Sequence, residues 1–194
     1  MKIFSSLLAA LLFTTAFVSA ETTYTIDPAH TNVNFSVSHM VISNVTGKFK
    51  DVSGTLVTSK EDFSDAKIAI TIGAKSINTE NEKRDEHLRS ADFFNTEKYP
   101  EATFKSTSVT KAGKDAYRIA GELTMRGVTK PVVLDAVFKG KAKSPWGQTV
   151  AAFKGTTTID RTAWGLTWNK ALEAGGMLVG DEVELTFNVE LIQK

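Results

Sequence analysis

Three histidines, His30, His39 and His87, are the side chains of this sequence best suited to move a proton near neutral pH. None stands at the close spacing of H-E-x-x-H or a similar ligand pair, so a metal site would need residues brought together from afar, and none is expected. Nucleophilic chemistry lacks its usual frame, because the chain holds no G-x-S-x-G. Gly175-Gly176 has neither the spacing nor the strand-to-helix setting of a phosphate loop. The absence of cysteine excludes thiol catalysis, zinc–thiolate sites and iron–sulfur clusters. No catalytic residue and no cofactor is therefore expected. The most charged stretch is Arg84-Asp85-Glu86-His87-Leu88-Arg89. On a helix Arg84, His87 and Leu88 share a face, and a cation beside an imidazole can hold a polar head group. The competing reading is a solvated helix whose charges pair among themselves. Arg161 poses the same choice: Asp160-Arg161 is either an ion pair that pins a strand end or a polar contact at a ligand mouth.

Alternation of apolar and polar residues is the dominant signal after Glu21, and period two is the mark of strands with one buried face. Val33, Phe35 and Val37 alternate with Asn32, Asn34, Ser36 and Ser38. Ile68, Ile70 and Ile72 do the same, as do Val132, Leu134, Ala136 and Phe138, and Val183, Leu185, Phe187, Val189 and Leu191. The pattern predicts eight strands over 22–40, 45–59, 66–75, 101–110, 116–125, 130–140, 148–159 and 182–193. Short links such as Gly113-Lys114-Asp115, Arg126-Gly127 and Pro145-Trp146-Gly147 fit hairpins, so neighbours pair antiparallel. Eight amphipathic strands without helical crossovers bury their apolar faces in a closed barrel or a sandwich. The fold class is all-β, eight antiparallel strands in such a barrel or sandwich, with a short helix in the 76–100 connection. There Thr79-Glu80-Asn81-Glu82 reads as a capping box and Asp85 with Arg89 as an i,i+4 pair. The 160–181 connection is long and rich in glycine.

Such a barrel has just enough interior to be filled by side chains or to hold one small ligand. The inward parity carries Phe35, Val37, Phe49, Ile70, Phe104, Ile119, Leu134, Phe138, Phe153 and Phe187. These are the candidate ligand-binding residues of the interior, and Arg84, His87 and Arg161 those of its mouth. Alternation alone does not separate a lined cavity from a packed core.

Residues 1–20 read as a cleaved signal peptide: Lys2 is the positive start, Ile3 to Val18 is mostly apolar, and Val18-Ser19-Ala20 offers small residues to signal peptidase. The expected location is the periplasm, and residues 21–194 form one domain. Lys2 is one of 23 basic residues, so loss of the leader leaves 22 against 22 acidic. That balance gives the chain as a whole no electrostatic footprint for nucleic acid or anionic membrane.

Ordered blocks along the chain carry a family likeness. They are Tyr24-Thr25-Ile26-Asp27-Pro28-Ala29-His30, then Phe35-Ser36-Val37-Ser38-His39, Gly47-Lys48-Phe49 and Gly54. The longest runs from Arg84 through Ser90-Ala91-Asp92-Phe93-Phe94 to Tyr99-Pro100 and Phe104. Gly121-Glu122-Leu123-Thr124, Gly127-Val128-Thr129-Lys130-Pro131, Ile159-Asp160-Arg161 and Trp164-Gly165 complete the set. In order and spacing the sequence resembles the YceI-like family of periplasmic proteins, with Trp164 where the family more often has Phe. The resemblance implies an extended eight-stranded antiparallel lipocalin-like barrel with a helix near one end. It also implies an elongated cavity for a polyisoprenoid or a similar amphiphile, such as a quinone-like lipid or a fatty-acid amide. The expectation is a periplasmic carrier for a long-chain isoprenoid, with no nucleic acid and no metal as partner; a transient membrane contact and a homodimer both suit such a carrier. Two alternatives stand beside it: an enzyme acting on an isoprenoid lipid through His39 or His87, and a stress-related interaction module whose barrel is solid.

Overall fold

The computed structural model describes residues 20–173 and 175–194, so the expected leader lies outside the described residues save for Ala20. Eleven strand segments form one antiparallel sheet that closes on itself. They are β1 (Thr22–Ile26), β2 (Asn32–His39), β3 (Ser43–Phe49), β4 (Val52–Thr58), β5 (Lys67–Gly73), β6 (Ile77–Asn78), β7 (Glu101–Lys111), β8 (Ala116–Met125), β9 (Val128–Lys143), β10 (Thr149–Asp160) and β11 (Val179–Gln193). β1 with β2, β3 with β4, and β5 with β6 are each one long strand broken by a short turn. Eight strands in space result, and both β1 and β2 pair with β11 to shut the barrel.

The three breaks have local causes. Asp27 accepts the Ala29 N–H on its side chain at 2.9 Å, a turn that Pro28 favours, so the first strand bends between β1 and β2. Lys50 and Asp51 break the second strand beside the single 3₁₀ turn 74–76 that breaks the third. Ser76 joins the two, donating to the Gly73 carbonyl at 2.6 Å and accepting the Lys50 N–H at 3.0 Å. The predicted strands 22–40, 45–59 and 66–75 are thus right in path and interrupted in detail. β9 and β11 also run further than alternation suggested, to Lys143 and from Val179.

The helix α1 (Glu82–Arg89) lies where the sequence placed it, but its chemistry differs. Asn81, not Thr79, is the N-cap, its side chain accepting the Arg84 N–H at 3.1 Å. Asp85 makes no ion pair with Arg89. It is buried and accepts from the Thr79 N–H at 2.8 Å and hydroxyl at 2.6 Å, so the chain before the helix is tied to its first turn. Arg89 instead donates to the carbonyls of Lys75 and Ile77. These bonds hold α1 across one end of the barrel.

Candidate functional site

The inward side chains do not fill the barrel. Two apolar chambers lie along its axis, one of about 140 Å³ at the α1 end and one of about 80 Å³ at the other. Phe35, Val37 and Phe49 line the chamber at the α1 end, and Ile119 and Phe153 line the other. Ile70, Phe104, Leu134 and Phe187 border both and make a waist between them. Two glycines permit the ring positions. A Cβ at Gly121 would lie 2.4 Å from Cζ of Phe104, and one at Gly47 would lie 2.4 Å from Cζ of Phe35. Only a residue without a side chain leaves those rings room to lie over the neighbouring strand.

Both ends are stoppered by side chains from connections. At the α1 end Leu88, Phe93 and Phe94 meet Leu166 from the 161–178 segment. His87 stands edge-on between Phe93 and Trp168, with ring centroids 5.1 and 4.8 Å away, and joins the two connections. Trp164 is buried beside them and donates its indole N–H to the Leu123 carbonyl at 3.1 Å. At the far end Phe63 projects from loop 59–66 and is only 2 % exposed. Its φ of +57° is unfavourable for an aromatic residue. Asp65 holds the loop in that shape, accepting from the hydroxyls of Thr58 and Ser59 and from the N–H groups of Ser59 and Lys60. Those bonds keep its carboxyl well below the usual carboxylate range. Tyr117 donates to the Asp62 carbonyl at 2.7 Å, and burial raises its phenol. The Lys111 ammonium draws Asp62 down to about 2.

Nine of the ten predicted interior residues therefore line a chamber. Phe138 does not: its ring packs on Phe63 and Phe153 at centroid distances of 5.4 and 5.1 Å, behind the stopper. The polar candidates fare differently. Arg84 borders neither chamber; it donates to the hydroxyl and carbonyl of Thr79. His87 hydrogen-bonds Asp92 at 2.9 Å with its Nε2, on the outer side of the stopper. Arg161 does border the larger chamber and is 4 % exposed, but its donors are taken. Nε reaches the Gly180 carbonyl, Nη1 those of Leu166 and Trp168, and Nη2 the Val179 carbonyl and the Asp181 carboxylate. Five N–H groups meet five acceptors. Burial lowers its guanidinium from the ordinary value, against the pull of Asp181 and Asp160. Its ion-pair partner is Asp181, while Asp160 caps the turn at Thr162.

The interior thus offers shape and hydrocarbon rather than charge. Every buried side-chain nitrogen or oxygen among the described residues already has a partner. Neither chamber is lined by His30, His39 or His87. Phe63, Phe93, Phe94, Leu88 and Leu166 escaped the sequence reading because they sit in connections, where period two carries no signal; their apolar character inside polar stretches was the only clue. Among the described residues, Asp27, His30 and Glu190 are the donors close enough to share a cation, with ligand atoms within 4.8 Å of one another. Their geometry is that of a hydrogen bond, His30 Nδ1 to Asp27 Oδ2 at 2.8 Å. That bond lowers the aspartate and raises the imidazole.

Comparison with known proteins agrees with this architecture. The sequence model of the YceI-like domain matches residues 24–191. Protein YceI of Salmonella newport (strain SL254) is 40 % identical over 188 residues, covering 96 % of this chain and 95 % of the relative. BcnA of Burkholderia cenocepacia superposes with a TM-score of 0.74 at 22 % identity, over 85 % of this chain and 98 % of that one. A polyisoprenoid binding domain from Saccharophagus degradans superposes with a TM-score of 0.66 at 16 % identity, over 88 % and 98 %. With a matching domain model across nearly all of residues 21–194 and a relative of 40 % identity along its whole length, the chain belongs to the YceI-like family.

Proposed function

We propose that the protein is a periplasmic carrier that holds a long-chain isoprenoid, or a quinone-like lipid with such a tail, through both chambers. The observation that carries this reading is the pair of apolar chambers sharing a four-residue waist, in a barrel whose buried polar groups are already satisfied. A long, thin, greasy molecule fits that space, and a charged head does not. The Arg161 donors and His87 Nε2 already have protein partners, which supports a head held at or beyond a stopper. The polyisoprenoid binding domain with the same fold supports the ligand class. Binding, rather than turnover, is favoured because among the described residues no histidine and no nucleophile–base pair lines a chamber. Export rests on the leader-like residues 1–20.

Energetics favour length over polar recognition. A buried methylene contributes about 0.8 kcal/mol, so a five-carbon prenyl unit contributes on the order of 4 kcal/mol. Association costs roughly 4–15 kcal/mol in lost freedom, so a few units are needed before binding is net favourable. Displacement of a fluorescent fatty probe by prenols of increasing length tests this. Affinity is expected to climb with each added unit until both chambers are full, then level off. Equal affinity for the shortest and longest prenols, or none for any, would refute the proposal.

A further inference from the structure

Net charge averages over a surface, and one part of this surface departs from the average. β9 and β10 continue past the barrel as a hairpin, pairing Lys141 with Ala151 and Lys143 with Thr149. The turn is closed by Ser144 N–H and Gly147 N–H bonds at 2.8 and 2.9 Å, and at its tip Trp146 is 83 % exposed. A tryptophan with its ring in water forgoes a large apolar burial. Behind it Lys139, Lys141 and Lys143 are exposed on one strand, and among the described residues none of the three is in an ion pair. In the adjoining loop Asp62 pairs with Lys111, Asp65 accepts from Thr58 and Ser59, and the exposed Glu61 stands beside Lys60, so the loop adds little net charge against the three lysines. The register of β9 on β10 slips at Ala152/Phe153. Beyond the slip Lys141 turns over the stopper, its Nζ 4.7 Å from the Phe63 ring centroid and 5.8 Å from that of Tyr24.

Three lysines without an ion pair along one hairpin arm, on both of its faces, an exposed indole at the tip and a chamber end directly beneath match one kind of partner. Tryptophan settles at the head-group level of a bilayer, and lysines reach along it to lipid phosphates. We propose that the β9–β10 hairpin docks the protein on an anionic phospholipid bilayer, with the Phe63 end of the smaller chamber set against the lipid. The purpose of such docking rests on the carrier reading above, but the docking itself is measurable without it. The opposite rim also carries apolar residues, Met40, Val41 and Ile42, at the β2–β3 turn. Among the described residues no comparable set of lysines adjoins them, so a bilayer contact there would depend little on lipid charge, which separates the two surfaces.

The test is co-sedimentation of the purified protein with vesicles of phosphatidylglycerol and phosphatidylcholine, compared with phosphatidylcholine alone. Binding is expected to the anionic vesicles and to be lost at about 1 M salt, where the screening length falls to about 3 Å. Lys139→Gln and Lys143→Gln should each weaken it about five-fold, the effect of one lysine near an anionic surface. Trp146→Ser should weaken it further, and Ile42→Ser should leave it unchanged. Prenol affinity in Trp146→Ser and Lys143→Gln should match the parent, since neither residue lines a chamber; loss of prenol binding in the parent itself would refute the carrier reading and leave docking standing. The docking proposal is overturned by equal binding to both vesicle types, by no binding to either, by loss only in Ile42→Ser, or by sedimentation without vesicles that vanishes with Trp146, the mark of self-association.

Discussion

Replacing Arg161 by Met separates a structural arginine from one that holds a ligand head. The side chain keeps much of its aliphatic stem, so the loss is chiefly the guanidinium. Of its acceptors, the Val179 carbonyl retains Asn169 Nδ2 at 2.7 Å, and the Asp181 carboxylate is exposed and regains water. The carbonyls of Leu166, Trp168 and Gly180 lose the donor that reaches them. At about 1–2 kcal/mol for each acceptor left unmet in a buried setting, the variant should lose roughly 3–6 kcal/mol. That is a large share of a domain stability of about 5–15 kcal/mol. Urea unfolding followed by fluorescence measures it as a lower midpoint with an unchanged slope. Arg161→Lys should fall between the two, because an ammonium keeps the charge but lacks the planar fork that reaches several carbonyls at once. Prenol affinity of the folded fraction should stay at the parent value in both. An Arg161→Met protein with parental stability and weakened binding of lipids with anionic heads would refute this reasoning.

Three further outcomes follow from the same geometry. Gly121→Ala puts a methyl group 2.4 Å from Cζ of Phe104 and 2.6 Å from the Lys105 carbonyl oxygen, so it should cost about 1–3 kcal/mol by overpacking; parental stability in urea would show that the ring does not need that seat. Ile70→Trp fills the waist, and should weaken binding of long prenols more than short ones; equal loss at every length would contradict two chambers in series. The Asp27–His30 pair should show in an NMR titration as a His30 midpoint above 6.5, chiefly from its hydrogen bond to Asp27, returning toward 6.5 in Asp27→Asn. His30 is raised, so its share of stability is present in full below 6.5 and fades as pH rises through the folded value. Asp27 is lowered, so its share is present above 3.8 and fades as pH falls through the folded value. The pair therefore stabilises most between these limits, and a His30 midpoint at or below 6.5 would remove the pairing.

The barrel was legible because its strands are half-buried, and a half-buried strand writes its two faces into the sequence at every second residue. Phe35, Phe104 and Phe187 were placed inside by parity alone and line the chambers. The breaks at Asp27, Lys50 and Ala74 were not legible, since a strand that bends keeps its alternation on either side. Phe138 shows the limit of parity: it points inward, but the Phe63 stopper stands between it and the open space. The charged residues stayed open between pairing and head-group contact because sequence displays a charge and hides its partner. Arg161 stood beside Asp160 as an ion pair or a mouth contact, and its acceptors are the Asp181 carboxylate and backbone carbonyls from residues 166–180, which side-chain types do not reveal. The empty volume itself depends on how rings lean, and no spacing encodes it.

Whether the two chambers of this barrel hold one long lipid is read out by native mass spectrometry of the protein purified from cells. A bound species should survive gentle ionisation, leave on activation as a single hydrocarbon-rich molecule, and shift to shorter chains in Ile70→Trp. Protein that emerges at its polypeptide mass alone, from cells and after incubation with long prenols alike, would contradict the carrier reading.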